Sequence, residues 1–335
     1  MTWNATDENE ALRWSWERHE AAELDSYMIA DVEDPRIHGQ SILTRALIAD
    51  SIWPGEFTDL IDAEQRFGAV MTWILQQYKK GSAPADLYEQ VVDQQCPAFV
   101  TETHYWLPQQ ETVPDYITLA LQNHESRLPE IALDTFAQLW SGILAERNAE
   151  MSDHPKLRVL EAACGSANDY RFLHRFGFTP FLDYAGFDIS PKNIENATRR
   201  FPDAEFFVGS AFATGLQDRS FDFVFTHDLF EHLSPDGLVA AFGELLRVTG
   251  RQAWLHFFNL SLTASEHSII PVDKYHWNLL SLEQLQKLIP DGFGAPEIVP
   301  IGELLLSQFG CADYYNPEAV TLLVTREEEC GITGD

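Results

Sequence analysis

In the stretch Val159-Leu-Glu-Ala-Ala-Cys-Gly-Ser-Ala167, an apolar run ends in an acid, Glu161, and small residues follow at alternate positions: Ala163, Gly165 and Ala167. A segment with helical spacing comes next. Backbone with so little side-chain bulk can lie directly against a ligand, and free N–H groups at a helix start favour a polar or anionic group. A second strand, Tyr184-Ala-Gly-Phe-Asp188, ends in an acid about 20 residues beyond the loop, the spacing of a carboxylate that grips the two hydroxyls of a ribose. A third strand end delivers Thr226, His227 and Asp228, with Glu231 and His232 one turn further on. Tyr275, His276, Trp277 and Asn278 combine a base, hydrogen-bonding groups and an aromatic wall, the mixture a small-molecule pocket needs.

These residues need a frame that brings strand ends together. From Leu157 onward strands and helices alternate, which implies a mostly parallel sheet with helices on both faces. The expected strands are Leu157–Ala162, Tyr184–Asp188, Ala204–Val208, Phe221–Thr226, Gln252–Phe258, Glu297–Ile301 and Val320–Arg326. Helices are expected between the first five, and an irregular piece between the last two. Residues 1–150 read as a mainly helical cap domain and 151–330 as the ligand-binding domain. Helices are expected over Ala11–Tyr27, Ile37–Ile52, Asp62–Tyr78 and within Pro114–Ala149, where Leu133, Phe136, Leu139, Trp140 and Leu144 form a core-packing stripe. The proline- and aromatic-rich stretch Gln94–Val113, with Phe99, Tyr105 and Trp106, reads as an ordered loop or cover.

Over residues 155–327 the sequence resembles the small-molecule branch of the class I S-adenosylmethionine-dependent methyltransferases. The family's acid-x-Gly-x-Gly-x-Gly pattern stands here as Glu161, Ala163, Gly165 and Ala167; Gly186-Phe-Asp-Ile-Ser-Pro191 is similar to its second motif, and Phe221–Leu233 to its fourth strand and following helix. The resemblance implies a Rossmann-like seven-stranded sheet and S-adenosylmethionine as cofactor, held by Glu161, Ala163, Gly165, Ala167, Asp188, Ile189, Ser210, Ala211 and Thr226. Two family glycines are alanines here, which crowds the cofactor and implies modest affinity. The family's Gly-Asp-Ala reads Gly209-Ser210-Ala211, so a serine stands where an acid would accept from the adenine.

The reaction implied is methyl transfer to a small molecule, with a hydroxyl oxygen as acceptor and His227 or His276 as general base. A cofactor-binding but inactive scaffold is the alternative. Asp228-x-x-Glu231-His232 resembles a metal-binding pattern of some O-methyltransferases. No metal is expected, those three residues being the ones that would hold it, and Glu231 and His232 are read as a packed, hydrogen-bonded pair. His256 is read as a core histidine.

Composition narrows the partners. Six lysines and sixteen arginines face 52 acids, giving a formal charge of −30 spread along the chain. Such a surface repels phosphate backbones, so no nucleic acid is expected as partner. No apolar run reaches the length of a membrane span. Four scattered cysteines without CxxC pairing, and no secretory start, point to the cytoplasm. The oligomeric state has no signature in the sequence.

Overall fold

Period-2 alternation decides which side of each strand meets which helices. The computed structural model describes residues 39–106, 128–150, 155–272, 275–312 and 316–327. Strands β1 (Leu157–Ala162), β2 (Leu182–Asp188), β3 (Glu205–Val208), β4 (Phe221–His227), β5 (Thr249–Phe257), β6 (Glu297–Pro300) and β7 (Val320–Thr325) form one seven-stranded sheet in the order β6-β7-β5-β4-β1-β2-β3. β1 to β5 run parallel, and β7 is antiparallel to both of its neighbours. All seven expected strands are present, with ends shifted by a few residues at most. From the central pair β1–β4 the chain winds outward in both directions, so the carboxyl ends of these strands flank a topological switch point, where open α/β sheets bind ligands.

Val159, Tyr184, Phe223, Phe225, Trp254 and Leu323 face one apolar core; Leu160, Ala185, Val224, Ala253, Leu255 and Leu322 face another. The second core is closed by α8 (Pro235–Val248) and α9 (Leu282–Gln286). The first is shared with the N-terminal helices α1 (Gly39–Ile52), α2 (Thr58–Lys79), α3 (Pro84–Val92), α4 (Ala98–Trp106) and α5 (Leu128–Glu150), and with α6 (Asn168–Arg175), α7 (Pro191–Arg200) and α10 (Ile301–Phe309). Trp140 of α5 is fully buried against Phe57 and Phe178. Trp140 and Leu144 of the expected stripe thus join the core cluster that holds Val159 of β1, with Trp140 beside the turn after α6.

The structure differs from the sequence expectation at several elements. No helix joins β3 to β4; residues 209–220 run as a turn, held where Glu244 of α8 accepts from the Thr214 amide and hydroxyl. A helix, α10, does join β6 to β7, opened by Pro300 and closed by Gly310 in the left-handed conformation. Helix α4 occupies much of the described part of the stretch expected to be loop, Gln94–Val113, and α3 lies just before it. Their prolines stand at helix starts, where the missing N–H is harmless. After β4 the chain makes only a 3₁₀ turn (Phe230–His232) before α8. The expected helix Ala11–Tyr27 and the core of the 107–127 stretch lie outside the described residues. No helix among the described residues is long and apolar enough to cross a membrane.

Gly177, at φ +86°, is where α5 comes closest to the sheet domain. A Cβ there would stand 2.8 Å from the Ser141 Cα. Gly177→Ala combines backbone strain with that clash and should lower stability by about 1–3 kcal/mol in thermal unfolding. An unchanged melting temperature would contradict this close approach.

Candidate functional site

On the face shared with the N-terminal helices, strand register lines up a polar row at the carboxyl end of the sheet. Thr321 of β7 pairs with His256 of β5, and His256 pairs with His227 at the end of β4. The two imidazoles stack with centroids 4.1 Å apart and planes within 8°. His256 is fully buried, its Nε2 2.8 Å from Thr44 Oγ1 and its Nδ1 2.8 Å from Thr321 Oγ1. Thr44 belongs to α1, which lies across the row: Gln40 donates to the Phe257 carbonyl, and Ser41 donates to Asp169 of α6. His227 Nδ1 stands 3.1 Å from Asp169 Oδ2. Burial opposes a charged His227, but the Asp169 carboxylate outweighs that and raises the pKa above its ordinary value. The Asp169 carboxyl is lowered: burial works against this, and His227, the Ser41 hydroxyl and Arg45 overcome it. Arg45 is itself buried, paired with Glu64 of α2 and lying over the Phe176 ring.

The loop between β1 and α6 turns through left-handed backbone at Ala163 (φ 58°), Gly165 (φ 55°) and Ala167 (φ 68°). Left-handed alanine costs roughly 1–2 kcal/mol, so two of these residues hold a strained path that glycine would take freely. A Cβ built on Gly165 would meet nothing within 4 Å; the loop leaves open space there. Asp188 braces the loop from the end of β2. It accepts from the Gly165 amide (3.0 Å), the Ser190 amide (2.8 Å) and Asn193 Nδ2 (3.2 Å). Burial nevertheless raises its pKa above the ordinary carboxylate value. Glu161 is buried and accepts from the Tyr184 hydroxyl; burial, with Asp169 and Asp188 nearby, pushes its carboxyl well up.

Beyond β4, Asp228 is exposed in the left-handed conformation (φ 51°), while Glu231 turns inward and is fully buried. Glu231 Oε1 accepts from the Phe258 amide (2.8 Å) and the Asn259 amide (3.3 Å). Its Oε2 meets no hydrogen-bond partner among the described residues. Burial, then the charge of Asp228, pushes its pKa up to about 8, against the pull of its amide donors. His232 Nδ1 lies 3.1 Å from the His276 carbonyl. The three residues of the metal-like pattern thus diverge, with one exposed and the other two bonded to separate strands. Among the described residues no three His, Cys, Asp or Glu side chains gather as a metal site.

His276 lies on a short strand (Tyr275–His276) paired with Pro271–Val272, beside the 230–232 turn. Trp277 is exposed on that loop, against Phe258 (4.8 Å) and His232 (5.3 Å). Asn278 does not line an opening as expected. It is buried, donating to the Leu233 carbonyl and accepting from the Ile270 amide, and so pins the loop to the 230–233 turn. The Tyr275 side chain lies outside the described residues.

Ala163, Gly165, Ile189, Ser210 and Ala211 are half-buried at the carboxyl ends of β1, β2 and β3. Thr226 is fully buried, its hydroxyl without a partner among the described residues; neither ring nitrogen of His227 is in hydrogen-bond geometry there, so Nδ1 meets Asp169 at ion-pair distance, off the hydrogen-bond line, and Nε2 meets nothing. The Ser210 hydroxyl accepts from the Phe212 amide (3.3 Å). The two candidate bases sit on different elements; only His227 joins the polar row. Sequence reasoning missed Asp169, Ser41 and Thr44. An acid two residues past Ala167, at the start of a helix, was the available signal for Asp169; the α1 residues gave none, because their partners lie far away in sequence.

Residues 159–252 match a family model described as a methyltransferase domain. A demethylmenaquinone methyltransferase of Thermotoga maritima is 42% identical over 65 residues, which make up 19% of this chain and 28% of that protein. The chain therefore spans little more than a quarter of the curated relative it matches. Among solved structures, the PH0226 protein of Pyrococcus horikoshii OT3 has 20% identity and a TM-score of 0.38, covering 56% of this chain and 90% of its own. Magnesium protoporphyrin IX methyltransferase from Synechocystis PCC 6803, crystallised with bound SAM, has 16% identity and a TM-score of 0.36, covering 60% and 83% respectively.

Glu231 supplies a pH prediction. Its folded pKa of about 8 lies above the ordinary 4.5, so between those values the native state binds more protons than the unfolded chain, and the contribution of Glu231 to stability falls as pH rises. Glu231→Gln keeps an oxygen for the 258–259 amides and removes the titration. In urea unfolding, the wild type should lose more stability than the variant between about pH 5 and about pH 8. Equal losses would contradict a carboxyl buried in neutral form.

Proposed function

Since residues 159–252 match a family model described as a methyltransferase domain, we propose that the chain transfers a methyl group from S-adenosylmethionine to a hydroxyl of a small molecule, with His227 as general base. The observation that carries this reading is the row Thr321–His256–His227, which sets a histidine against Asp169 at the carboxyl edge of β4, beside the left-handed loop 163–167.

The residues present fit the donor. The open space over Gly165 gives backbone access, and the unpartnered Thr226 hydroxyl and His227 Nε2 offer polar groups at the same edge. Asp188 would hold the ribose. Three hydrogen bonds already occupy it, and a carboxylate has about four acceptor positions. Glu161, Ala163, Gly165 and Ala167 would line the methionine portion, and Ile189, Ser210 and Ala211 the adenosine.

The donor supplies an activated methyl group on a sulfonium. The chain's own part is alignment of the acceptor and removal of its proton, a task suited to a histidine paired with a carboxylate. His276, on the loop carrying exposed Trp277, would stand on the acceptor side. Charge −30 disfavours a nucleic-acid acceptor. The buried cysteines Cys96, Cys164 and Cys311, which form no disulfide among the described residues, suit a reducing cytoplasm.

Calorimetry tests the donor. S-adenosylhomocysteine should bind at micromolar concentration and NADH should not; the reverse would overturn the reading. Asp188→Ala should weaken S-adenosylhomocysteine by about 1–3 kcal/mol, the loss of hydrogen bonds to a charged group. Unchanged affinity would remove Asp188 from the site. Labelled S-adenosylmethionine with a metabolite extract should yield a labelled small molecule, and no transfer with intact binding would favour an inactive scaffold.

A further inference from the structure

Resting on the reading of His227 as base, we infer that Asp169 is its positioning residue: the carboxylate, 3.1 Å from Nδ1, draws the ring proton to that nitrogen and leaves Nε2 as the basic atom, while His256, stacked beneath, sets the plane of the imidazole.

Hydrogen-bond bookkeeping assigns the tautomers. Thr44 has one hydroxyl proton, and it is donated to the Gln40 carbonyl at 3.1 Å. With that proton so placed, Thr44 Oγ1 accepts from His256 Nε2–H. His256 Nδ1 then carries a lone pair, which accepts from the Thr321 hydroxyl. A ring so held is neutral, so it presents no second positive charge to the imidazole stacked on it at 4.1 Å. Rotation of His227 about its ring axis is blocked by that stack and by Phe225, whose ring lies edge-on at 5.9 Å.

Four groups face His227 from the elements around it. Asp169 comes from α6, Asp228 from the adjoining turn, Arg45 from α1 and His256 from β5. Arg45 and burial favour the neutral ring; the two acids favour the imidazolium. Of the charged groups named, Asp169 is the one at ion-pair distance, and its second oxygen is held by Ser41 of α1 at 3.4 Å. The N-terminal helix thus does more than cover the sheet: through Ser41 and Thr44 it holds both partners of the base. When His227 accepts a proton at Nε2 from a hydroxyl, as the C–O bond forms and the donor's S–CH₃ bond breaks, the imidazolium rests against a carboxylate already in place.

The test needs no acceptor. Long-range ¹H–¹⁵N spectra of the full chain report the tautomer and titration of each histidine. Neutral His227 should carry its proton on Nδ1 and titrate above the ordinary 6.5. Asp169→Asn should lower its proton affinity by about tenfold or more, one unit of midpoint, and Asp169→Glu should restore it. Since the base acts when neutral, the acidic limb of any pH–rate profile should move to lower pH in Asp169→Asn. Calorimetry on the same variants should show S-adenosylhomocysteine still binding. An unmoved midpoint in folded Asp169→Asn would overturn the assignment. So would a neutral Nε2–H tautomer in the wild type, which needs no variant. Loss of S-adenosylhomocysteine binding by the wild type would instead sink the methyltransferase reading and leave the spectra to judge Asp169 separately.

Discussion

Four carboxyl groups crowd one edge of the sheet, and the fold around them is organised by how each is satisfied. Glu161, Asp188 and Glu231 are buried, and Asp169 is nearly so. A buried, unpaired carboxylate is too costly to keep ionised, so it must be hydrogen-bonded, paired or protonated. Asp188 takes backbone amides from the loop it braces, and Asp169 takes an imidazole and a hydroxyl. Glu161 and Glu231 are pushed up toward the neutral form. Of the four, Asp169 alone is held below its ordinary pKa by its partners; burial raises the other three. Neutralising four carboxylates with lysine or arginine would have filled the edge; using amides, a hydroxyl and a histidine keeps it narrow.

This arrangement explains why the helical half and the α/β half share one core. Asp169 and His256 each need a donor or acceptor that the sheet does not provide, and α1 supplies Ser41, Thr44 and Gln40. Burying such polar groups is tolerable only when all are bonded, and that demands fixed placement of α1. Apolar packing supplies it: Ile48, Trp53, Phe57 and Trp140 join the same cluster as Val159, Phe225 and Trp254. Arg45 adds to the lock, buried between Glu64 and the Phe176 ring. Packing sets the position and the polar row uses it.

Much of the sheet was legible because buried strands are rich in apolar and β-branched residues, as in Phe221–Thr226 and Val320–Val324. The ligand loop was legible from the alternation at 161–167, and its alanines proved to occupy left-handed backbone where glycine is usual. The connections were harder to read. Pro97 looked like part of a loop and Pro300 like part of a strand, yet each stands at the start of a helix, and the β3–β4 link is held by Glu244 of α8 rather than by any local periodicity. The turn after β4 looked helical because Asp228, Glu231 and His232 have helical spacing; burial of Glu231 against residues 258–259 decided otherwise. The contacts of Thr44 and Ser41 were invisible, since Thr44 and His256 lie 212 residues apart and neither segment carries a trace of the other.

The most direct measurement is a crystal structure with S-adenosylhomocysteine bound. The ribose hydroxyls should lie on Asp188, the homocysteine portion along residues 161–167, and the sulfur on the side of the sheet edge where His227 Nε2 is free. A ligand bound away from that edge, or a ribose that does not touch Asp188, would contradict the account.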